Sequence, residues 1–167
     1  MQDGGGVTWQ RAYFAAANIA SAVAAIHERG YCIGDINESN ILVAGTTLAT
    51  LIDCDSFQIR DPGTGRVFRC VVGKGEYTAP EIAGQSYGQV DRTLETDNFG
   101  LAVLLFQFLM EGCHPYQARG PLVENAGSTE KKISLGHFPY PHPKRPQGVE
   151  PPVFAPGFEI LHPDIQR

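Results

Sequence analysis

No apolar run in this chain approaches the roughly 18 residues that a membrane-crossing helix requires. The first residues lack a basic stretch followed by an apolar one, which argues against a secretory signal. Basic residues are outnumbered by acidic ones, 13 against 18, giving a formal charge of −5. A nucleic-acid-binding face would be basic, so none is indicated. The four cysteines, Cys32, Cys54, Cys70 and Cys113, form no C-x-x-C pair. They read as reduced, unlinked thiols of a cytoplasmic protein in preference to a structural zinc site. No internal repeat is visible. Gly4, Gly5 and Gly6 are consecutive, without the G-x-G-x-x-G spacing, strand or downstream lysine of a phosphate-covering loop. Residues 1–7 read as a flexible leader.

What is present is enough for one domain: 167 residues, 43% of them hydrophobic. Thr8 is a suitable N-cap, and Trp9, Ala12, Tyr13, Ala16, Ile19, Ala20, Val23 and Ile26 recur at helical spacing. Gly30 marks the end of that helix, and His27 reads as a helix-end or surface residue. Tyr31 to Ile33, Ile41 to Val43, Thr47 to Ile52 and Phe57 to Arg60 read as short strands, with a turn at Gly45. Asp61-Pro62-Gly63-Thr64-Gly65 is a turn cluster. A second helix is capped by Thr96 or Asp97 and runs to about Glu111, with Gly112 as its stop. It is apolar nearly all round, the pattern of a buried helix. Beyond Gly136, seven prolines from Pro139 to Pro156 break regular structure. Residues 136–167 read as an irregular segment packed over the domain, with a polyproline ligand as the alternative. The fold class is mainly α with a few short β-strands.

Two aspartates, Asp35 and Asp53, lie eighteen positions apart where short apolar runs meet loops, and Asn40 lies between them. Two carboxylates and an amide are hard oxygen donors. Magnesium takes one or two carboxylates and fills its other positions with phosphate and water. Phosphoryl transfer also uses a carboxylate to orient the attacking hydroxyl. Taken singly, Asp35 is also explained as a turn aspartate bonding backbone N–H groups. Asn40 alone is explained as a loop cap, and Asp53 as a surface turn.

The ordered set of motifs resembles the protein-kinase superfamily. Asp35 and Asn40 have the catalytic-loop spacing, and Asp53 stands where the family has its metal-binding aspartate. Gly73-Lys74-Gly75-Glu76-Tyr77-Thr78-Ala79-Pro80-Glu81 is similar to the substrate-docking loop. Asp97-Asn98-Phe99-Gly100-Leu101-Ala102-Val103 is similar to the start of the buried helix, and Gly112 to Tyr116 to the turn after it. The resemblance covers roughly residues 8–116 and implies the large lobe of a kinase domain, incomplete at both ends. On that reading the small lobe and last helices are missing partners, and the segment alone is expected to be inactive or nearly so. Exposed apolar surface would then favour self-association. The stretches around Asp35, Asp53 and Gly100 are also similar to bacterial kinase-like proteins that often carry a helix-hairpin-helix DNA-binding segment elsewhere. No such segment is visible, so DNA binding is not carried over.

The resemblance implies Asp35 as general base and Asn40 and Asp53 as magnesium and ATP-phosphate ligands, with a protein serine or threonine as acceptor. Asp55 replaces a family glycine, as a further acidic ligand or as a stiffener of the loop. Asp97 corresponds to the aspartate that supports the catalytic loop from below; an N-cap role would also explain it. Glu81 should lack its arginine partner, leaving the docking loop loose. Ile33 and Gly34 stand in place of the family His-Arg, whose arginine grips an activation-loop phosphate. Cys54 replaces a phenylalanine. Asn37 stands where serine/threonine kinases carry a lysine, and Lys74 where they carry a threonine. Lys74 is therefore expected to supply the missing charge, against the equally open reading of an exposed loop lysine. Two other functions remain: a pseudokinase or binding module, favoured by these departures, and a small-molecule kinase, favoured by Asn37.

Overall fold

The structure is a computed structural model and describes residues 8–166; the glycine run and the proposed leader lie outside them. Helix α1 spans Trp9–His27. Its N-cap is Thr8, whose side chain accepts from the Arg11 N–H. It ends in a Schellman-type turn. Gly30 N–H bonds the His27 carbonyl at 2.8 Å and Tyr31 N–H reaches Ile26 O at 3.4 Å. Gly30 has φ +74°, the left-handed conformation that glycine adopts without strain. The buried stripe is Ala12, Ala15, Ala16, Ile19 and Val23.

Strands β1 (Ile41–Val43) and β2 (Ala49–Leu51) form an antiparallel hairpin in which Ile41 faces Leu51 and Val43 faces Ala49. Gly45 lies in the turn, but the left-handed residue is Thr47, at φ 67°. Its carbonyl accepts from Asn18 Nδ2 of α1. Strands β3 (Ile59–Arg60) and β4 (Val67–Phe68) form a second hairpin around the Asp61–Gly65 cluster. Asp61 Oδ1 accepts the Gly63 and Thr64 N–H groups there. Tyr31 to Ile33 form no strand; only Cys32 bridges, to Gln58.

Helix α2 spans Leu94–Leu109, so it starts earlier than the sequence suggests. Thr93 and Thr96 exchange side-chain-to-backbone bonds in a capping box. Asp97 is therefore inside the first turn, buried, and not the cap. The helix is covered on one side and open on the other. Val103 and Leu104 are buried, while Leu94 and Phe108 are exposed. A short third helix, α3 (Thr129–Ser134), is capped by Ser128. From residue 136 the described chain has neither α-helix nor strand, yet it is packed. Tyr140, Val149 and Leu161 are buried, and Phe106 meets the rings of Phe138, Tyr140 and Phe158 at 5.1–6.4 Å.

The core has two parts. Ile19 and Val23 of α1, Ile33 and Ile36 of the following loop, Tyr77, and Val103 and Leu104 of α2 form one. Ala12, Ala16, Leu109, Met110, Cys113, Tyr140 and Leu161 form the other. Each buried aliphatic side chain contributes about 1.5–3 kcal/mol. The first cluster fixes loop 33–40 against both helices. All four cysteines are free thiols, and no helix among the described residues is long and apolar enough to cross a membrane.

Candidate phosphotransfer site

Loop 33–40 is held from below by Asp97. Its carboxylate accepts the Ile33 N–H at 2.6 Å and the Gly34 N–H at 2.8 Å. A third bond, at 3.0 Å, runs to His27 Nε2. Asp97 is 2% exposed, and a carboxylate that deep is tolerated because its oxygens are fully engaged. His27 is the last residue of α1, as expected of a helix-end histidine, but it is turned inward and is not a surface residue. It lies four and eight positions after Val23 and Ile19 on the same buried stripe, and that spacing was the signal for its inward placement.

Asp35 leads the loop's exposed side. Its Oδ1 accepts from Asn37 Nδ2 at 2.8 Å, and its Oδ2 from Asn40 Nδ2 at 3.1 Å. Both amides also donate to the Asp35 carbonyl. Asn37 is 1% exposed, and its Oδ1 accepts the Ser39 N–H. It replaces a lysine of the resembling family and fixes the rotamer of Asp35, a role the sequence comparison of these positions missed. With Asn40 Nδ2 committed to Asp35, Asn40 Oδ1 accepts no hydrogen bond among the described residues and remains available as a ligand oxygen.

The hairpin brings Asp53 to Asn40. The Ile52 N–H donates to the Asn40 carbonyl at 2.9 Å, extending the β1–β2 ladder by one step. Asp53 follows directly, in the left-handed conformation at φ 62° and ψ 41°, which turns the chain away after the strand. Its carboxyl pKa is raised from the ordinary value, first by the neighbouring Asp55 carboxyl and more weakly by the charge of Asp35. Three acids thus crowd one exposed edge, and their repulsion is the kind a divalent cation relieves. Among the described residues no three His, Cys, Asp or Glu side chains converge on one metal position. The fit is to an ion held by one or two carboxylates and an amide, with other ligands completing the shell.

Lys74 lies beside the loop. Its Nζ donates to Glu38 Oε1 at 2.8 Å and Ser39 Oγ at 2.9 Å. It is thus engaged by the neighbours of Asp35 and not by Asp35 itself. Burial alone would raise the Glu38 pKa, but the hydrogen bond and charge of Lys74 outweigh it and hold the carboxyl below its ordinary range. Loop 73–81 is tied at several points. Tyr77 Oη donates to Gln107 Oε1 at 2.6 Å, and His114 Nε2 meets the Glu76 carbonyl at 2.9 Å. Thr78 Oγ1 bonds the Lys74 carbonyl and the Tyr87 hydroxyl. Glu81 is exposed.

A model of the protein kinase domain matches residues 1–147. The chain is 36% identical over 160 residues to Protein kinase YegI of Escherichia coli K12, covering 95% of this chain and 24% of that protein. It is 30% identical over 145 residues to Serine/threonine-protein kinase PknH of Mycobacterium tuberculosis, covering 85% of this chain and 21% of that one. A 31% match over 133 residues to a cGMP-dependent protein kinase of Toxoplasma gondii covers 79% of this chain and 12% of the relative. The chain spans about a quarter or less of the length of these relatives.

Proposed function

This chain belongs to the protein kinase domain family, and from that premise we propose that it forms part of a kinase large lobe that transfers phosphate from ATP to a serine or threonine hydroxyl of a protein. Asp35 accepts or orients the proton of the attacking hydroxyl. Asn37 and Asn40 hold its two oxygens so that the carboxylate presents a single geometry. Asn40, through its free Oδ1, and Asp53 are the magnesium ligands, with Asp55 in reserve at the same edge. Bound magnesium would neutralise charge on the nucleotide phosphates. Lys74 lies near enough to the loop to add positive charge if it leaves Glu38.

The observation that carries this reading is the position of Asn40. It bonds Asp35 through its side chain and Ile52 through its carbonyl, so one residue joins the base to the metal-binding aspartate. The name of the PknH relative supports the serine/threonine acceptor. A second reading, a kinase-like binding module, is favoured by the capture of Lys74 by Glu38 and Ser39.

The deciding experiment is magnesium-dependent ATP turnover and peptide phosphorylation by the full-length protein, with and without Asp35→Asn. The variant should lose about 100- to 10,000-fold in rate, the usual contribution of a positioned base. Equal rates would end the enzyme reading.

A further inference from the structure

Arg92 is buried, only 5% exposed, yet it makes no ion pair with a carboxylate among the described residues. Its Nε has no hydrogen-bond partner there either. A buried cation needs compensation, and two uncharged groups supply it. Arg92 Nη2 donates to the Val72 carbonyl at 3.0 Å. The guanidinium carbon lies 4.3 Å from the centre of the Tyr87 ring, where a desolvated cation–π contact is strongest.

The backbone of Arg92 is fixed separately. Its N–H donates to Gln58 Oε1 at 2.7 Å, and its carbonyl accepts from Gln58 Nε2 at 2.8 Å. Gln58 in turn bridges to Cys32, just before the loop that carries Asp35. The side chain then crosses over Gly34. A Cβ on Gly34 would lie 2.6 Å from Cys70 Cβ and 3.3 Å from Arg92 Cγ. Gly34, at φ +77°, therefore leaves the space that Cys70 and Arg92 fill. From Tyr87 the connection continues through its hydroxyl to Thr78, and from Thr78 to the Lys74 carbonyl.

We propose that Arg92 is a positioning residue that clamps segment 70–73 against the Asp35 loop, so that the segment holds its place without a phosphate. One end of the clamp is bolted to the Cys32–Gln58 bridge that precedes Asp35. The other end grips Val72 and Tyr87, and through Tyr87 the docking loop. The guanidinium is already occupied by a carbonyl and a ring, so no added anion is needed to hold it. The consequence for catalysis rests on the phosphotransfer reading; the clamp itself does not.

The clamp hides Cys70, which is 0% exposed, while Cys54 is open. Native-state alkylation with iodoacetamide, read at each cysteine by mass spectrometry, should modify Cys54 quickly and leave Cys70 protected. Arg92→Gln should speed labelling of Cys70 at least about tenfold and leave buried Cys113 protected. Losing the arginine's charge would by itself push the Cys70 thiol up and slow its reaction, so faster labelling reports opening. An unchanged Cys70 rate would overturn the proposal. If Arg92→Gln also exposes Cys113, Tyr87→Leu keeps the arginine and removes its ring seat together with the hydroxyl bond to Thr78. It should open Cys70 alone, and no change would again overturn the clamp. Phosphatase treatment of the wild-type protein should leave the Cys70 rate as it was; a rise would overturn the phosphate-free part. In the full-length protein, Arg92→Gln should raise the KM for peptide and leave the KM for ATP unchanged, whereas general loosening would move both. If wild type shows no turnover, the phosphotransfer reading fails and the thiol result still decides the clamp.

Discussion

The Ile52 N–H donates to the carbonyl of Asn40 at 2.9 Å, and this one bond sets Asp53 beside Asn40. Asn40 is also the amide between two acids, with Nδ2 3.1 Å from Asp35 Oδ2. Asn40→Asp would replace that donor with a fourth carboxylate at this edge, facing an acceptor. At partial exposure the repulsion should cost about 1 kcal/mol near neutral pH, well below the unscreened Coulomb value. Magnesium chloride should raise the melting temperature of Asn40→Asp more than that of wild type, because the ion relieves the added charge. Equal shifts in a thermal melt would argue against a cation at this edge.

Asp97 makes the opposite kind of prediction, about stability alone. It satisfies two buried N–H groups and His27. Asp97→Ala would orphan those donors, and hydrogen bonds to a charged acceptor are worth about 1.5–3 kcal/mol each. A loss of about 3 kcal/mol or more is expected in urea unfolding. Asp97→Asn, which keeps one acceptor oxygen, should lose roughly half as much. His27→Ala should cost about 1 kcal/mol, since the loop N–H groups keep their partner.

These two positions also mark what the sequence does and does not disclose. The stripe of α1, its glycine stop and the Asp35–Asn40–Asp53 spacing are local patterns, and each is legible. The start of α2 is not. Its capping box uses Thr93 and Thr96 in place of the usual Ser/Thr and Glu pair, so the first turn hides before Asp97. Helix α3 has six residues and β4 has two, too short for any periodicity to register, whereas β3 lies inside the strand expected over Phe57 to Arg60. The bond of His27 to Asp97 and the path of Arg92 over Gly34 are tertiary facts, whereas the grip of Asn37 on Asp35 spans only two positions. Asp97 and His27 are 70 positions apart, and no window of sequence spans both.

His114 gives a pH signature. It is 8% exposed, its Nε2 meets the Glu76 carbonyl, and its Nδ1 accepts the Tyr116 N–H. That pairing requires the neutral ring with the proton on Nε2. Burial holds its pKa below the ordinary 6.5. The unfolded chain therefore takes up a proton near pH 6.5 that the native state refuses. The stability contribution is present above that pH and declines as pH falls toward the depressed native value. Urea midpoints should fall between about pH 7 and about pH 5, and His114→Gln should flatten the slope. An equal slope in both proteins would exclude His114 as its source.

Lys74 separates stability from transfer. Its ion pair with Glu38 joins side chains 35% and 57% exposed, and such pairs contribute about 0.2–1 kcal/mol. Lys74→Ala should therefore move the melting temperature little. If the ammonium swings to the transferred phosphate in the full-length protein, Lys74→Ala should slow peptide phosphorylation at least about tenfold. Glu38→Gln, which weakens the hold on Lys74, should leave the rate intact or raise it. A Lys74→Ala protein that phosphorylates peptide at the wild-type rate would leave Lys74 as an exposed loop lysine paired with Glu38, and would return the charge beside Asp35 to the metal alone.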